Sequence, residues 1–429
     1  MLEPRVHTFN MVLCLSRAMD LVSPGLVNHH YRVAYIAHSL ATEMGLPPEQ
    51  RSDLLLAGAL HDIGALSLQE RLAALAFEAD YDSLDPHARL GALLVGGFTP
   101  FSGPASLIRH HHLRWDHRRE QVPLGSYVLH LADRVAVMTR WNAPILNQVP
   151  GILDRVRSEA GRMFSPQLVD VFRGLAERES FWLDMASRSL DSILGELAHL
   201  GTMEMDIDQI IDLSLLFSKI IDFRSPFTST HSRGVAALAE AITELFSFST
   251  SEVQLMKAAG YLHDLGKLAV PSSILDKPGR LTSEEWAVIR THTYHTFHTL
   301  QTIEALRPMS EWAAFHHERI DGRGYPFHVR RKDLPLRSRI MAVADVFTAL
   351  TEDRPYRKAL PSGEVIAILR RMVAEGALDE RVVEEVANRY EQLDTARAQA
   401  QQSAAWEYRE LGEASRAQTA LAKETSADM

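Results

Sequence analysis

The sequence predicts an all-α protein made of two tandem helical domains joined by a helical linker, and three observations lead there. Apolar residues recur at three- and four-residue spacing almost throughout, as in Val33, Ile36 and Leu40, or Leu213, Leu216 and Ile220, which is the period of an amphipathic helix. Strand-like alternation is scarce. An ordered pattern of histidines and aspartates also occurs twice along the chain, the mark of an internal repeat.

At 429 residues the chain exceeds one ordinary core, so two domains are expected. The first is placed at 1–180, with loops at Leu46-Pro47-Pro48 and Phe101-Ser102-Gly103-Pro104. Residues 181–204 read as a connecting helix with Leu183, Leu190, Leu194 and Leu197 on its apolar side. The second domain spans 205–395, with turns at Lys277-Pro278-Gly279 and Asp321-Gly322-Arg323-Gly324. From 396 to 429 the sequence becomes rich in Ala, Gln and Glu, and this polar tail is expected to fray.

Composition narrows the function. Hydrophobic residues make up 46% and charged residues 23%, the mix of a folded globular protein. A formal net charge of −10 gives no general attraction to phosphate backbones, so bulk nucleic-acid binding is not expected and an anionic substrate needs local cations. Cys14 is the sole cysteine, which excludes an intramolecular disulfide and a thiolate metal cage and suits a reducing cytoplasm. No signal peptide or membrane span is apparent. Twenty histidines are the one unusual feature.

Their positions define the repeat. His29 is followed 32 residues later by His61-Asp62-Ile63-Gly64, and His231 is followed 32 residues later by His263-Asp264-Leu265-Gly266. The register continues through His87 and His292, through His111-His112 with Asp116 and His316-His317 with Asp321, and through Asp133 and Asp345. Gly161-Arg162-Met163 and Gly376-Ala377-Leu378 correspond more loosely.

Imidazole and carboxylate together suit divalent first-row metals, and one carboxylate can bridge two ions. Two ions a few ångströms apart can serve an in-line displacement at phosphorus, so phosphodiester hydrolysis is the natural reaction. The expected ligands in the second half are His231, His263, Asp264, His292, His316, His317 and Asp345, with Asp264 as the bridge. Lys267, one turn beyond His263, is placed to reach a phosphate oxygen. Asp264 and Lys267 are therefore the expected catalytic residues. A lone histidine is usually a surface or satisfied core residue, but seven matched positions in two halves outweigh that reading. His295 and His298 lack such support; with His292 they form a histidine-rich helix face that could equally be solvated, and both are left out of the ligand set.

His263-Asp264-Leu265-Gly266-Lys267, followed by His316-His317-Glu318-Arg319-Ile320-Asp321-Gly322-Arg323-Gly324-Tyr325-Pro326, resembles the HD-GYP phosphodiesterases over roughly residues 205–390. The resemblance implies a helical HD domain, a bi- or trinuclear iron or manganese centre, and hydrolysis of cyclic di-GMP to linear pGpG or GMP. Some relatives prefer 3'3'-cyclic GMP-AMP. Carried over by position, the seven ligands fall on the family's metal residues and Lys267 on its phosphate-contacting lysine. Asp321, Gly324, Tyr325, Pro326, Arg354 and Arg357 then join Lys267 as substrate-binding residues. Arginine forks suit phosphate and stack on guanine, although solvated surface arginines are the plain alternative, and Tyr325 could simply pack a turn.

The sequence also departs from the family. Ser225-Pro226-Phe227-Thr228-Ser229-Thr230 precedes His231 without a carboxylate, which argues against a third metal, and Thr348 stands where an aspartate is usual. The first half is similar to the broader HD superfamily and keeps a possible second metal site at His29, His61, Asp62, His87, His111, His112 and Asp133. It has Ala65 at the place of Lys267 and Arg114-Trp115-Asp116-His117 without a Gly-Tyr-Pro loop, so it reads as a degenerate or regulatory copy. Three readings follow: a cyclic-dinucleotide phosphodiesterase, a dinucleotide sensor or scaffold without turnover, and a hydrolase of another phosphate ester. A homodimer and a signalling partner at the first half are further expectations.

Overall fold

A computed structural model describes residues 5–21, 27–65, 81–199, 204–223, 230–277, 279–353 and 358–427. These residues are helical, in turns or irregular, apart from one pair of two-residue strands, Val6–His7 and Glu204–Met205, and an isolated bridge between Ala160 and Phe164. The all-α fold is thus the one the periodicity predicts. Contacts divide the chain into two compact units, one mainly residues 7–204 and the other mainly residues 205–414. Among the described residues no helix is long and apolar enough to cross a membrane.

In the first unit, helices span Thr8–Asp20, His29–Glu43, Pro48–Leu60, Tyr81–Gly96, Ser102–Ile108, Leu124–Met138, Val149–Ser158 and Pro166–Ala176. The His29–Glu43 helix stops at Gly45, whose φ of +68° favours glycine. There the Gly45 and Leu46 N–H groups donate to Thr42 and Ala41 carbonyls at 3.0 Å each, closing the helix end. Pro48 opens the next helix, where its missing N–H costs nothing.

The second unit repeats this core with helices Ile207–Phe223, His231–Glu244, Thr250–Leu262, Ser283–Leu300, Arg307–Ala314, Leu336–Thr351, Ser362–Ala374 and Glu380–Asn388. Capping boxes start two of them, Ser249 with Glu252 and Thr282 with Glu285, each satisfying backbone donors that a helix leaves orphaned.

Two glycine contacts recur in both units and set the positions of the histidines. A Cβ on Gly58 would lie 2.5 Å from Ala34 Cα, and one on Gly260 the same 2.5 Å from Ala236 Cα. The helix bearing the first histidine therefore touches, backbone to backbone, the helix leading into the His-Asp pair. Just beyond that pair, a Cβ on Gly64 would sit 2.1 Å from the His87 carbonyl oxygen, and one on Gly266 1.8 Å from that of His292.

The loose correspondence between Gly161-Arg162-Met163 and Gly376-Ala377-Leu378 also has a structural counterpart. Trp115 and Asp116 N–H groups donate to Met163 and Arg162 carbonyls at 3.1 and 2.8 Å. Ile320 and Asp321 do the same to Ala377 and Gly376 at 3.3 and 2.9 Å.

Two segments differ from expectation. Residues 181–204 hold two short helices, Glu179–Met185 and Leu190–His199, rather than one connecting rod, and both fall within the first unit. Phe181, Trp182, Met185, Leu190 and Leu194 are buried there, while Leu183 is exposed. The chain breaks between the helices because a straight rod could not turn both apolar faces inward.

The expected fraying from 396 is not seen either, since a helix runs over Tyr390–Ala427. Its polar side chains are anchored: Glu407 pairs with Arg233 at 2.8 Å and Lys219 at 2.9 Å, while Leu393 and Ala404 are buried. A polar composition is compatible with packing when the charges find partners on the domain surface.

Gly260→Ala is expected to force the two contacting helices apart and to cost about 1–3 kcal/mol, as overpacking does. Thermal melting followed by circular dichroism checks this; an unchanged midpoint would mean that the close approach is not needed.

Candidate metal centres

The first half gathers its seven expected ligands, and the second half six of its seven, into two groups of side chains whose donor atoms lie within 4.8 Å of one another. In the second half these are His231, His263 and Asp264, and His292, His316 and His317. In the first half they are His29, His61 and Asp133, and Asp62, His87, His111 and His112. Asp345 faces both second-half groups, with Oδ1 3.1 Å from His231 Nε2 and Oδ2 4.0 Å from His317 Nδ1.

The central aspartate lies between the groups in both halves. Asp264 Oδ2 is 3.2 Å from His263 Nε2, while its Oδ1 is 3.5 Å from His292 Nε2 and 4.0 Å from His316 Nε2. Asp62 repeats this, with Oδ2 3.4 Å from His61 Nε2 and Oδ1 3.2 and 3.6 Å from His87 and His111 Nε2. One oxygen per group is what a bridging carboxylate requires.

Backbone carbonyls decide which imidazole nitrogen faces inward. His263 Nδ1–H donates to the Gly260 carbonyl at 2.8 Å, His292 to Ile289 at 2.6 Å and His316 to Ala313 at 2.7 Å. His61 and His111 make the equivalent bonds to Gly58 at 2.9 Å and Ile108 at 2.7 Å. With the proton held on Nδ1, each Nε2 presents a bare lone pair to the cluster.

This arrangement tests whether the residues fit a metal. The Nε2 atoms of His29, His61, His111 and His263 and Oδ1 of Asp62 are buried without a hydrogen-bond partner, a costly state for polar atoms. His292 and His316 aim two Nε2 lone pairs at each other across 3.3 Å, a repulsion that a cation between them relieves. The donor set fits divalent metal in both halves.

Electrostatics agree. Burial raises a carboxyl's pKa, yet His263, Lys267 and His292 hold Asp264 well below the usual carboxylate range. Burial takes the His292 imidazole down to about 3 and that of His316 well below its ordinary value. Burial also acts downward on His231, but the Glu352 and Asp345 carboxylates outweigh it and lift that group to about 10. Ionised carboxylates, neutral imidazoles at His292 and His316, and a field that favours positive charge at His231 are conditions that favour cation binding.

Around the ligands the halves diverge. Lys267 Nζ donates to Asp264 Oδ2 at 2.5 Å, and Ala65 stands at its place in the first half. There the extra cation is Arg134, whose guanidinium grips Asp133 Oδ2 at 2.5 Å. The His317 side chain is 32% exposed, whereas His112, its counterpart, is buried at 4%. Only the second-half centre has a ligand at the surface among the described residues.

The Gly-Tyr-Pro loop folds back on the paired histidines. The Tyr325 N–H donates to the His317 carbonyl at 3.2 Å, and the Tyr325 ring lies 4.9 Å from the His317 imidazole. The Tyr325–Pro326 peptide is cis. The Glu318 carboxylate receives the N–H groups of Phe327, His328 and Val329 at 2.7–3.1 Å, which fixes the chain beyond the loop. Asp321 is engaged by Arg319 at 2.9 Å and by the Arg323 N–H at 2.9 Å, so it braces the loop from outside the metal groups. Arg354 and Arg357 lie outside the described residues. His295 and His298 belong to neither group; His298 sits against the Tyr294 ring at 4.1 Å.

Sequence reading missed several residues. Glu352 accepts from His231 Nδ1–H at 3.1 Å, and Gln401, from the C-terminal helix, donates to Glu352 at 3.0 Å. Asp222 is a buried carboxylate that accepts from Ser232 at 2.8 Å and is pushed up by burial to about 7. Asp20 meets His30 in the same way in the first half. Each aspartate precedes its first histidine by nine residues, so the repeat register held this signal. Thr348 is buried, and its hydroxyl has no partner.

Two HD-domain family models match the chain, one over residues 26–138 and the other over residues 215–382. The chain is 29% identical over 414 residues to 3'3'-cGAMP-specific phosphodiesterase 1 of Vibrio cholerae, covering 92% of this chain and 95% of that one. It is 32% identical over 254 residues to phosphodiesterase 3 of the same specificity and organism, covering 58% of this chain and 54% of that one. A cyclic di-GMP phosphodiesterase of Pseudomonas aeruginosa is 39% identical over 161 residues, 37% of each chain. The crystal structure of a cyclic GMP-AMP-specific phosphodiesterase of V. cholerae superposes with a TM-score of 0.61 at 23% identity, over 92% of this chain and 98% of that one, so the fold is common to both. With two HD-domain matches, paired His/Asp centres and an intact Gly-Tyr-Pro loop after the second, the chain belongs to the HD-domain family as a tandem protein whose second half is of the HD-GYP type.

Proposed function

We propose that the second half hydrolyses a phosphodiester bond of a cyclic dinucleotide, either 3'3'-cyclic GMP-AMP or cyclic di-GMP. The observation that carries this reading is the open metal centre, with Asp264 between two histidine groups, His317 at the surface and Lys267 on the bridging carboxylate. Relatives named as phosphodiesterases of both dinucleotides support the substrate class. A sensor without turnover is not favoured, because the full ligand set accompanies the lysine.

His231, His263, His292, His316, His317, Asp264 and Asp345 would hold a pair of divalent cations; their donors suit first-row metals, and the HD-GYP resemblance points to iron or manganese among them. Such a pair, when bound, polarises phosphoryl oxygens and makes water a nucleophile at neutral pH. Asp264 spans the two groups, and the carbonyl-held imidazoles keep their Nε2 atoms fixed before substrate arrives. Lys267, tied to Asp264, places an ammonium where a phosphate oxygen enters. Gly324, Tyr325 and Pro326 line the approach beside His317, with Asp321 bracing their loop through Arg319.

Glu352 and Gln401 do no chemistry themselves. Glu352 accepts a hydrogen bond from His231 Nδ1–H and so turns Nε2 toward Asp345, and Gln401 holds Glu352 from the C-terminal helix. The first half would load metal at its own seven ligands, enclosed and without the lysine, and would support or regulate the second.

Metal-loaded protein, purified without oxygen, should convert cyclic GMP-AMP or cyclic di-GMP to the linear dinucleotide, with Asp264→Ala reducing turnover to background. Chromatography of the products decides; intact substrate after long incubation, with metal present, rejects the reading. Metal analysis should find about two ions per loaded half, with Asp62→Ala and Asp264→Ala each removing one half's share. Gln401→Ala should weaken metal affinity in the second half about 10-fold, as loss of an outer partner does, with helix content unchanged.

A further inference from the structure

We propose that Trp286 and Arg290, on the helix Ser283–Leu300, form the subsite that holds one purine base of the cyclic dinucleotide. This rests on the phosphodiesterase reading of the second half and names a part of the protein that takes the base rather than the phosphate.

The geometry runs outward from the metal ligands in short steps. His317 lies 4.9 Å from the Tyr325 ring, and Tyr325 lies 6.4 Å from Trp286 in an edge-to-face arrangement at 77°. The Arg290 guanidinium sits over the Tyr325 ring, 4.7 Å from its centroid. Tyr325 is therefore already engaged by His317 and Arg290, and the aromatic surface left open beside it belongs to Trp286, 47% exposed.

Trp286 is an exposed large aromatic side chain beside the Gly-Tyr-Pro loop. Trp286 and Arg290 are four residues apart, so they project from one face of the helix. The same helix carries His292, whose Nε2 faces Asp264, so the subsite and the metal group share one rigid element. Among the described residues Arg290 has no carboxylate partner. Indole faces and guanidinium planes are the groups that stack on bases, and a nucleotide whose phosphate lies at Asp264 and Lys267 must send its base outward past His317. The phosphate end is served by cations and metal ligands, and the base end by Trp286 and Arg290.

The occupant is a purine and not a protein surface, because the indole adjoins a centre built for phosphodiesters. The cationic and aromatic pair also suits an electron-rich base joined to an anion.

The test compares Trp286→Ala, Trp286→Phe and Arg290→Ala in the metal-loaded full-length chain, with the cyclic dinucleotide and with bis(4-nitrophenyl) phosphate, a diester without bases. Trp286→Ala is expected to raise KM for the dinucleotide about 10- to 100-fold, the scale of a lost base stack, with kcat changed far less. Trp286→Phe should restore most of the affinity, Arg290→Ala should raise KM in the same direction, and the base-free diester should not share the loss. An unchanged KM for the dinucleotide overturns the subsite while leaving the phosphodiesterase reading intact. An equal loss on both diesters gives Trp286 a structural role and also overturns it. A wild-type chain that cleaves the base-free diester but no cyclic dinucleotide sinks the substrate reading and the subsite with it.

Discussion

The structure depends on a short hydrogen bond made repeatedly: an imidazole Nδ1–H given to the backbone carbonyl three residues earlier. It is made by His61, His111, His263, His292 and His316; His292 makes it inside the helix Ser283–Leu300, and the other four make it at or near the end of a helix or tight turn. There the carbonyls lack helical partners and need donors. The same bond also locks the imidazole tautomer, so local backbone chemistry orients these five histidines. What remains for the tertiary fold is to bring these ends together, and the glycine contacts at Gly58, Gly64, Gly260 and Gly266 do so by letting backbones meet.

The two halves diverge around this shared frame. Both place an aspartate between two histidine groups, yet the charge beside that aspartate differs. In the second half Lys267 donates to Asp264, the aspartate between the two groups. In the first, a fully buried guanidinium is spent on Asp133. Exposure follows the same division, with His317 partly open and His112 closed over. The two copies share a donor set and differ in access and in which aspartate the neighbouring cation engages.

The second centre also extends past the segment that matches the HD-domain model, which ends at residue 382. His231 is oriented by Glu352, and Glu352 by Gln401 on the C-terminal helix, which is itself fastened through Glu407 to Arg233 and Lys219. Outer partners set the direction and basicity of metal ligands. A helix that composition alone marks as a loose tail is therefore part of the support for the first histidine of the site.

The helical class, the duplication and the convergence of His and Asp donors in each half were legible in the sequence because they follow from periodicity, register and residue chemistry, which are properties of order along the chain. Asp20 and Asp222 were legible in principle, lying nine residues before His29 and His231. Glu352, Gln401, Arg134, Trp286 and Arg290 were not, since a glutamate, an amide or an exposed indole acquires meaning only from what packs beside it. The break between residues 185 and 190 and the docking of the C-terminal helix were hidden for the same reason. Sequence by itself determined which groups can bind metal; the tertiary structure alone decided which centre is open and what orients its ligands, because burial and contact arise between residues far apart in the chain.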